Sequence, residues 1–211
     1  MNKTLLVVIG SMLLIAGPAS SDVVNGTFTA GNTGFSSDYT FVGSSGAIGN
    51  YSIATSPGAF ESGLESFGDH TSGTGNMMLV DGSAGTAVVW GETIAVTPAT
   101  SYTFAGFFRP TFGGNLPQIA MSVANGNAPL ATLPASTLVD GQWQQLALTF
   151  NSGAASSVTV SFTDQNPNFA QAGDDFAADD LALAPVPVPE PASLAIMSVS
   201  TLLILNRKRR A

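Results

Sequence analysis

The sequence predicts an all-β domain built as a sandwich of two sheets, and three observations carry that expectation. Between Val23 and Leu183, short runs rich in β-branched and aromatic residues recur. Clusters of Gly, Ser, Asn and Pro separate them. No window of helical length sustains a 3.6-residue apolar period.

The runs are YTFV (39–42), YSIA (51–54), NMMLV (76–80), TAVVW (86–90), TIAV (93–96), SYTFAGFF (101–108), QIAMSV (118–123), WQQLALTF (143–150), SVTVSF (157–162) and FAADDLAL (176–183). Strict alternation gives each strand one inward face: Leu146, Leu148 and Phe150 share a parity, as do Val158, Val160 and Phe162, and NSGAAS between them reads as a hairpin turn. Tyr102, Phe104 and Phe108 fall on one parity around Gly106, while Phe107 points the other way. Asn25-Gly26 before Thr27-Phe28 reads as a tight turn into a strand. Roughly ten such strands over about 160 residues can bury about two-thirds of the unfolded surface, enough for a core.

That core must suffice without covalent help, because the 211 residues include no cysteine. The absence also excludes thiolate metal sites and cysteine nucleophiles, and a single histidine, His70, excludes imidazole clusters. Charge is segregated. Lys3 lies at the N-terminus, Arg207 to Arg210 at the C-terminus, and Arg109 stands alone between Val24 and Ala184 against twelve acids. So acidic a body repels phosphate backbones, which argues against nucleic-acid binding. It attracts divalent cations and suits a solvated surface.

The first 21 residues read as a secretory signal peptide. Lys3 precedes an apolar stretch from Leu5 to Gly17, and PASS supplies small residues for cleavage before Ser20 or Asp22. The domain then spans 22–184. Residues 185–211 begin as a Pro-rich extended spacer and continue as an apolar segment, 192–205, with basic residues at 207–210. This fourteen-residue segment makes roughly 21 Å of helix, short of the ~30 Å hydrocarbon core, so this short C-terminal hydrophobic helix reads as a temporary stop in the inner membrane. The basic cluster places the C-terminus on the cytoplasmic side.

Four stretches in order, VNGTFTAG, TPATSYTFAGFF, DGQWQQLALTF and DDFAADDLAL, resemble the galactose-binding-like jelly roll of carbohydrate-binding modules. The resemblance spans Val23 to Leu183. It implies a single jelly-roll β-sandwich and a structural calcium where the first strand meets the last, held by backbone carbonyls and by a carboxylate of the closing pair Asp179 and Asp180, Asp180 before Asp179. Thr29 stands where related modules often carry a glutamate ligand. Polysaccharide is the implied partner, and the pieces suited to it are the aromatic Trp90, Phe107 and Phe108 for sugar faces and Arg109 for hydroxyls. Trp143 reads as core bulk at a strand start.

The tail is similar to the PEP-CTERM sorting signal of Gram-negative bacteria: Pro189-Glu190-Pro191, an apolar segment, then Arg207, Lys208, Arg209 and Arg210. That likeness implies recognition by an exosortase, cleavage near the Pro-Glu-Pro, and delivery to the cell surface or an extracellular polysaccharide matrix.

Two further features read as structure. In DQNPNFAQAGDD, Asp164, Asn166, Asn168 and Asp175 occupy calcium-loop spacing, but Phe169 stands where a sharp turn needs glycine, so the stretch reads as a polar connecting loop. His70 sits in FGDHTSGTGN, with no Gly-x-Ser-x-Gly elbow in the chain, and reads as a loop residue bonded to backbone. The expectation is thus a non-enzymatic, exported surface or matrix protein that binds polysaccharide. A structural component without a ligand and a secreted hydrolase are the alternatives.

Overall fold

A computed structural model describes residues 22–44, 47–83, 85–168 and 173–187. The signal peptide, most of the sorting tail and the C-terminal hydrophobic segment lie outside the described residues.

Ten strands and one helical turn follow in order: β1 (Thr40–Phe41), β2 (Asn50–Ala54), α1 (Pro57–Phe60), β3 (Met77–Val80), β4 (Val88–Ala95), β5 (Ser101–Pro110), β6 (Gln118–Asn125), β7 (Ala128–Thr137), β8 (Gln144–Asn151), β9 (Ser157–Asp164) and β10 (Phe176–Pro185). They form a six-stranded sheet, β1-β2-β3-β10-β5-β8, and a four-stranded sheet, β4-β9-β6-β7. The two-sheet sandwich expected from the alternating runs is what the chain forms.

The period-2 pattern explains the core. In β5 every second residue is buried, putting Tyr102, Phe104 and Phe108 between the sheets and Phe107 on the outer face. Trp90 of β4 stacks between Phe104 of the opposite sheet and Phe162 of its neighbour β9, with centroids 6.0 and 6.1 Å away. Phe108 meets Phe162 edge-on at 5.0 Å. Each such fully buried aromatic contributes about 2–3 kcal/mol, which a chain without disulfides needs.

Four local expectations are corrected. The runs 86–90 and 93–96 are one strand, β4, continuous through Gly91, whose backbone pairs in both directions with Ser36. β7 carries no strand signature in the sequence because Pro129 and Pro134 interrupt it; it lies at the edge of the small sheet, where a missing N–H costs least, and its pairing with β6 is broken by irregularities. NSGAAS does not close a hairpin: β8 pairs with β5 in the large sheet and β9 with β4 and β6 in the small one. The buried Ser152 explains this arch, since its Oγ donates to Thr97 and Thr100 carbonyls, tying it to the neighbouring β4–β5 crossing.

Nor does VNGTFTAG enter a strand. Asn25 and Phe28 both adopt left-handed backbone, with φ of 60° and 53°, and the Asn25 side chain accepts from Ala30 N–H while donating to the carbonyls of Gly31 and Thr33. The segment is a knot of turns that drops Phe28 into the core.

Candidate functional site

The outer face of the large sheet carries a second, smaller apolar cluster. Phe60 of α1, Met77 and Leu79 of β3, and Ala177 of β10 are buried there, with Phe67 and Trp143 packed against them. The connection between β2 and β3 therefore folds over one end of this face. The rest of the face, across β10, β5 and β8, stays open.

One loop shapes the boundary. Asp69 accepts from the N–H groups of Ser72 and Gly75 and from the Ser72 hydroxyl. Burial acts to raise its pKa, but these donors together outweigh that effect and hold Asp69 below its ordinary value. Gly68 cannot carry a side chain, because a Cβ there would lie 1.9 Å from the Gly73 carbonyl oxygen. The closed loop presents His70 and Thr71 to β10.

β10 meets them at a bulge. Pairing with β5 shifts between Asp179 and Ala182, and Asp180 takes φ 50°. The extra residue lets both carboxylates reach one side. Thr71 donates its N–H and hydroxyl to Asp179 Oδ2, and its hydroxyl also lies 2.6 Å from Asp180 Oδ1. His70 Nδ1 is 2.5 Å from Asp180 Oδ2. His70 thus bonds a carboxylate rather than backbone.

This pattern bears on the calcium implied for Asp179 and Asp180. Three of the pair's four oxygens are engaged by Thr71 and His70, and only the buried Asp179 Oδ1 lacks a hydrogen-bond partner. Thr29 Oγ1 is turned to Thr27 Oγ1. A calcium ion takes six to eight oxygens, so with one open carboxylate oxygen most ligands there would have to be backbone carbonyls. Burial also raises Asp179 above its ordinary pKa, despite the Thr71 donors.

The sugar-binding expectation divides. Trp90 and Phe108 are fully buried between the sheets, so neither ring has a face for a ligand. Phe107 is half-buried on the outer face and stacks on His70, centroids 3.6 Å apart and planes 14° from parallel. Trp143 is half-buried beside them, edge-on to His70 at 5.7 Å and to Phe67 at 5.8 Å. It therefore belongs to the face rather than to the inter-sheet core. Arg109 lies over the Phe67 ring at 3.9 Å and reaches Glu65 at 3.3 Å, so its guanidinium buttresses the covering loop.

Phe107 faces Gln145 across β8, and Ala105 is flanked by Ala182 and Ala147. These small side chains leave a trough of 560 Å³, walled on one side by Phe107 and Asp180 and on the other by the turn segment from Asp22 to Thr29. An aromatic edge with amide, carboxylate and hydroxyl groups over a shallow floor can hold a polar, ring-shaped ligand. The Thr71 hydroxyl serves the two carboxylates, and among the described residues no hydroxyl is hydrogen-bonded to His70 Nε2. Thr71 and Gln145 were not legible as site residues. The bulge that aligns Thr71, and the register that places Gln145 beside Phe107, are tertiary facts.

No family model matches the chain, and no curated protein matches it. Solved structures do. The CBM22-1 xylan-binding domain of Paenibacillus barcinonensis Xyn10C superposes with TM-score 0.52 at 11% identity, covering 82% of this chain and 100% of that one. TmCBM61, solved with β-1,4-galactotriose, gives 0.50 at 14%, covering 77% and 96%. The MgGH51 α-L-arabinofuranosidase gives 0.52 at 14%, but the match covers 80% of this chain and only 27% of that one. The chain therefore has the β-sandwich fold found in carbohydrate-binding modules.

Proposed function

We propose that this is a non-enzymatic, exported bacterial protein that binds polysaccharide along the open outer face of its large sheet. The observation that carries the reading is the trough beside Phe107, with Gln145 and Asp180 at its rim and alanines as its floor. Phe107 and Trp143 replace Trp90 and Phe108 as the aromatic contacts, since only the former reach the surface. Neighbours of like fold include a xylan-binding domain and a domain solved with a galactotriose, which supports polysaccharide as the ligand class.

The signal-like N-terminus and the Pro189-Glu190-Pro191 tail support export, sorting by an exosortase and residence at the cell surface or in the extracellular matrix. A ligand-free structural role is the second reading. It is favoured by His70 and Arg109, whose polar groups are already engaged by Asp180 and Glu65.

Affinity electrophoresis of the protein through gels containing xylan, galactan or extracted bacterial exopolysaccharide tests the binding. Retardation that disappears in Phe107→Ala and Trp143→Ala supports it, and free migration in every glycan favours the structural role. Mass spectrometry of the mature termini tests the sorting; a chain intact to Ala211 would refute it.

A further inference from the structure

Two groups of carboxylates lie next to each other where β3 ends and β10 begins. Glu61 after α1, Asp81 after β3 and Asp175 before β10 each bring one oxygen within 4.8 Å of the others. Beside them, Asp164 at the end of β9 and Asp174 are only 1% and 2% exposed. Each of these two keeps a buried Oδ2 with no hydrogen-bond partner. Asp164 Oδ1 accepts the N–H groups of Gln118 and Asn166, which fixes the carboxyl group with Oδ2 turned inward.

Both unpartnered oxygens are aimed at one place. A Cβ on Gly82 would lie 2.5 Å from Asp174 Oδ2 and 2.6 Å from Asp164 Oδ2. The glycine thus leaves a small space lined by two bare, buried carboxylate oxygens. No side-chain cation is at hand. Arg109 is the only Lys or Arg between residues 22 and 187 and is committed to Glu65 and Phe67, while His70 is committed to Asp180.

An isolated buried carboxylate costs several kcal/mol unless it keeps a proton or gains a positive partner. Burial first, then mutual repulsion, pushes Asp174 up to about 8 and Asp175 up to about 7. Burial lifts Asp164 to about 6.

We infer that this pocket is a divalent-cation site of the calcium class, anchored by the two bare oxygens of Asp164 and Asp174 across Gly82, with Glu61, Asp81 and Asp175 as adjoining carboxylates that deepen its negative field. All donors are hard oxygens, which selects calcium or magnesium over zinc, and their irregular spacing suits calcium's flexible coordination better than magnesium's strict octahedron. The site is separate from Asp179 and Asp180, which sit further along β10. Because Asp164 ends a strand of the small sheet while Asp81 and Asp174 flank strands of the large one, a bound ion clasps the two sheets together.

Thermal unfolding of the full chain in chelator and in millimolar calcium tests the site. The expected result is a rise in Tm of roughly 5 °C or more with calcium. Asp174→Asn should remove that rise while unfolding no earlier than wild type in chelator, and Asp179→Asn should keep it. If Asp174→Asn does not fold, the half-buried Glu61→Gln carries the same test with a weakened response. Terbium gives an independent readout through the Tyr39 phenol, which accepts the Ser83 N–H beside Gly82. Emission excited through tyrosine should saturate, be displaced by calcium and fall in Tyr39→Phe. Equal Tm in chelator and calcium overturns the site, and so does a calcium response that survives Asp174→Asn.

Discussion

The imidazole of His70 lies face to face with the ring of Phe107, 3.6 Å between centroids, while its Nδ1 meets Asp180 at 2.5 Å. A loop 37 residues upstream is thereby docked onto the face that Phe107 presents. Replacing His70 with alanine removes both the stack and the carboxylate contact. Binding to a recognised glycan should weaken about tenfold, with a loss of roughly 1–2 kcal/mol in stability. Titration calorimetry paired with urea denaturation measures both, and unchanged affinity would separate the loop from the binding face.

Neighbouring residues on one strand should behave oppositely. Phe108 and, on β4, Trp90 fill the space between the sheets, so Phe108→Ala and Trp90→Ala should each cost about 3–5 kcal/mol. Phe107→Ala and Trp143→Ala lose less stability but abolish glycan retardation. Denaturant midpoints for the four variants check the division; equal stability losses would contradict it.

Gly26 is required by close approach rather than by backbone angle. A Cβ there would lie 1.9 Å from the Leu181 carbonyl oxygen, and Leu181 N–H donates to the Gly26 carbonyl. Gly26→Ala should therefore cost about 3 kcal/mol by forcing the N-terminal turns off β10. A stability close to wild type in urea titration would show that these turns can move aside.

The acidic pocket fixes the pH response in the absence of divalent ions. Asp174, Asp175, Asp81 and Asp164, raised from 3.8 to about 8, 7, 6 and 6, bind protons more tightly folded than unfolded. Their stabilising contribution is complete below the ordinary value of 3.8 and fades as pH rises through 6 to 8. Asp69, shifted down, contributes above its ordinary value and loses that contribution as pH falls below it. In chelator, Tm should be highest near pH 4–5 and decline toward pH 8. A flat or rising profile in scanning calorimetry would contradict the assigned burial.

Period-2 alternation made β5, β8, β9 and β10 legible, because one face of each is covered by the opposite sheet. It was silent on β7, whose prolines are tolerated only because it is an edge, and on which strands pair. DQNPNFAQAGDD connects β9 to β10 as read, but the pattern could not show that Asp164 and Asn166 are buried, which follows from Gln118, Asn115 and Leu116 folding back over them. At the candidate face, the outward parity of Phe107 was readable from β5 alone. The same parity turned Phe108 inward, whereas loss of Trp90 to the core followed from its stacking on Phe104 and Phe162 across the two sheets, which no local pattern encodes.

The place of β10 bears on how the domain is assembled in time. It is the last described strand in sequence, yet it lies between β3 and β5, hydrogen-bonded to both. A chain emerging from its N-terminus holds an open slot in the middle of the large sheet until Phe176–Pro185 arrives. Pairings of such long range form slowly, and unpaired edges invite strands from other molecules. Folding of this sandwich is thus an all-or-none event timed by its C-terminal end, and removing only ten residues from that end opens the sheet at its centre rather than trimming its margin.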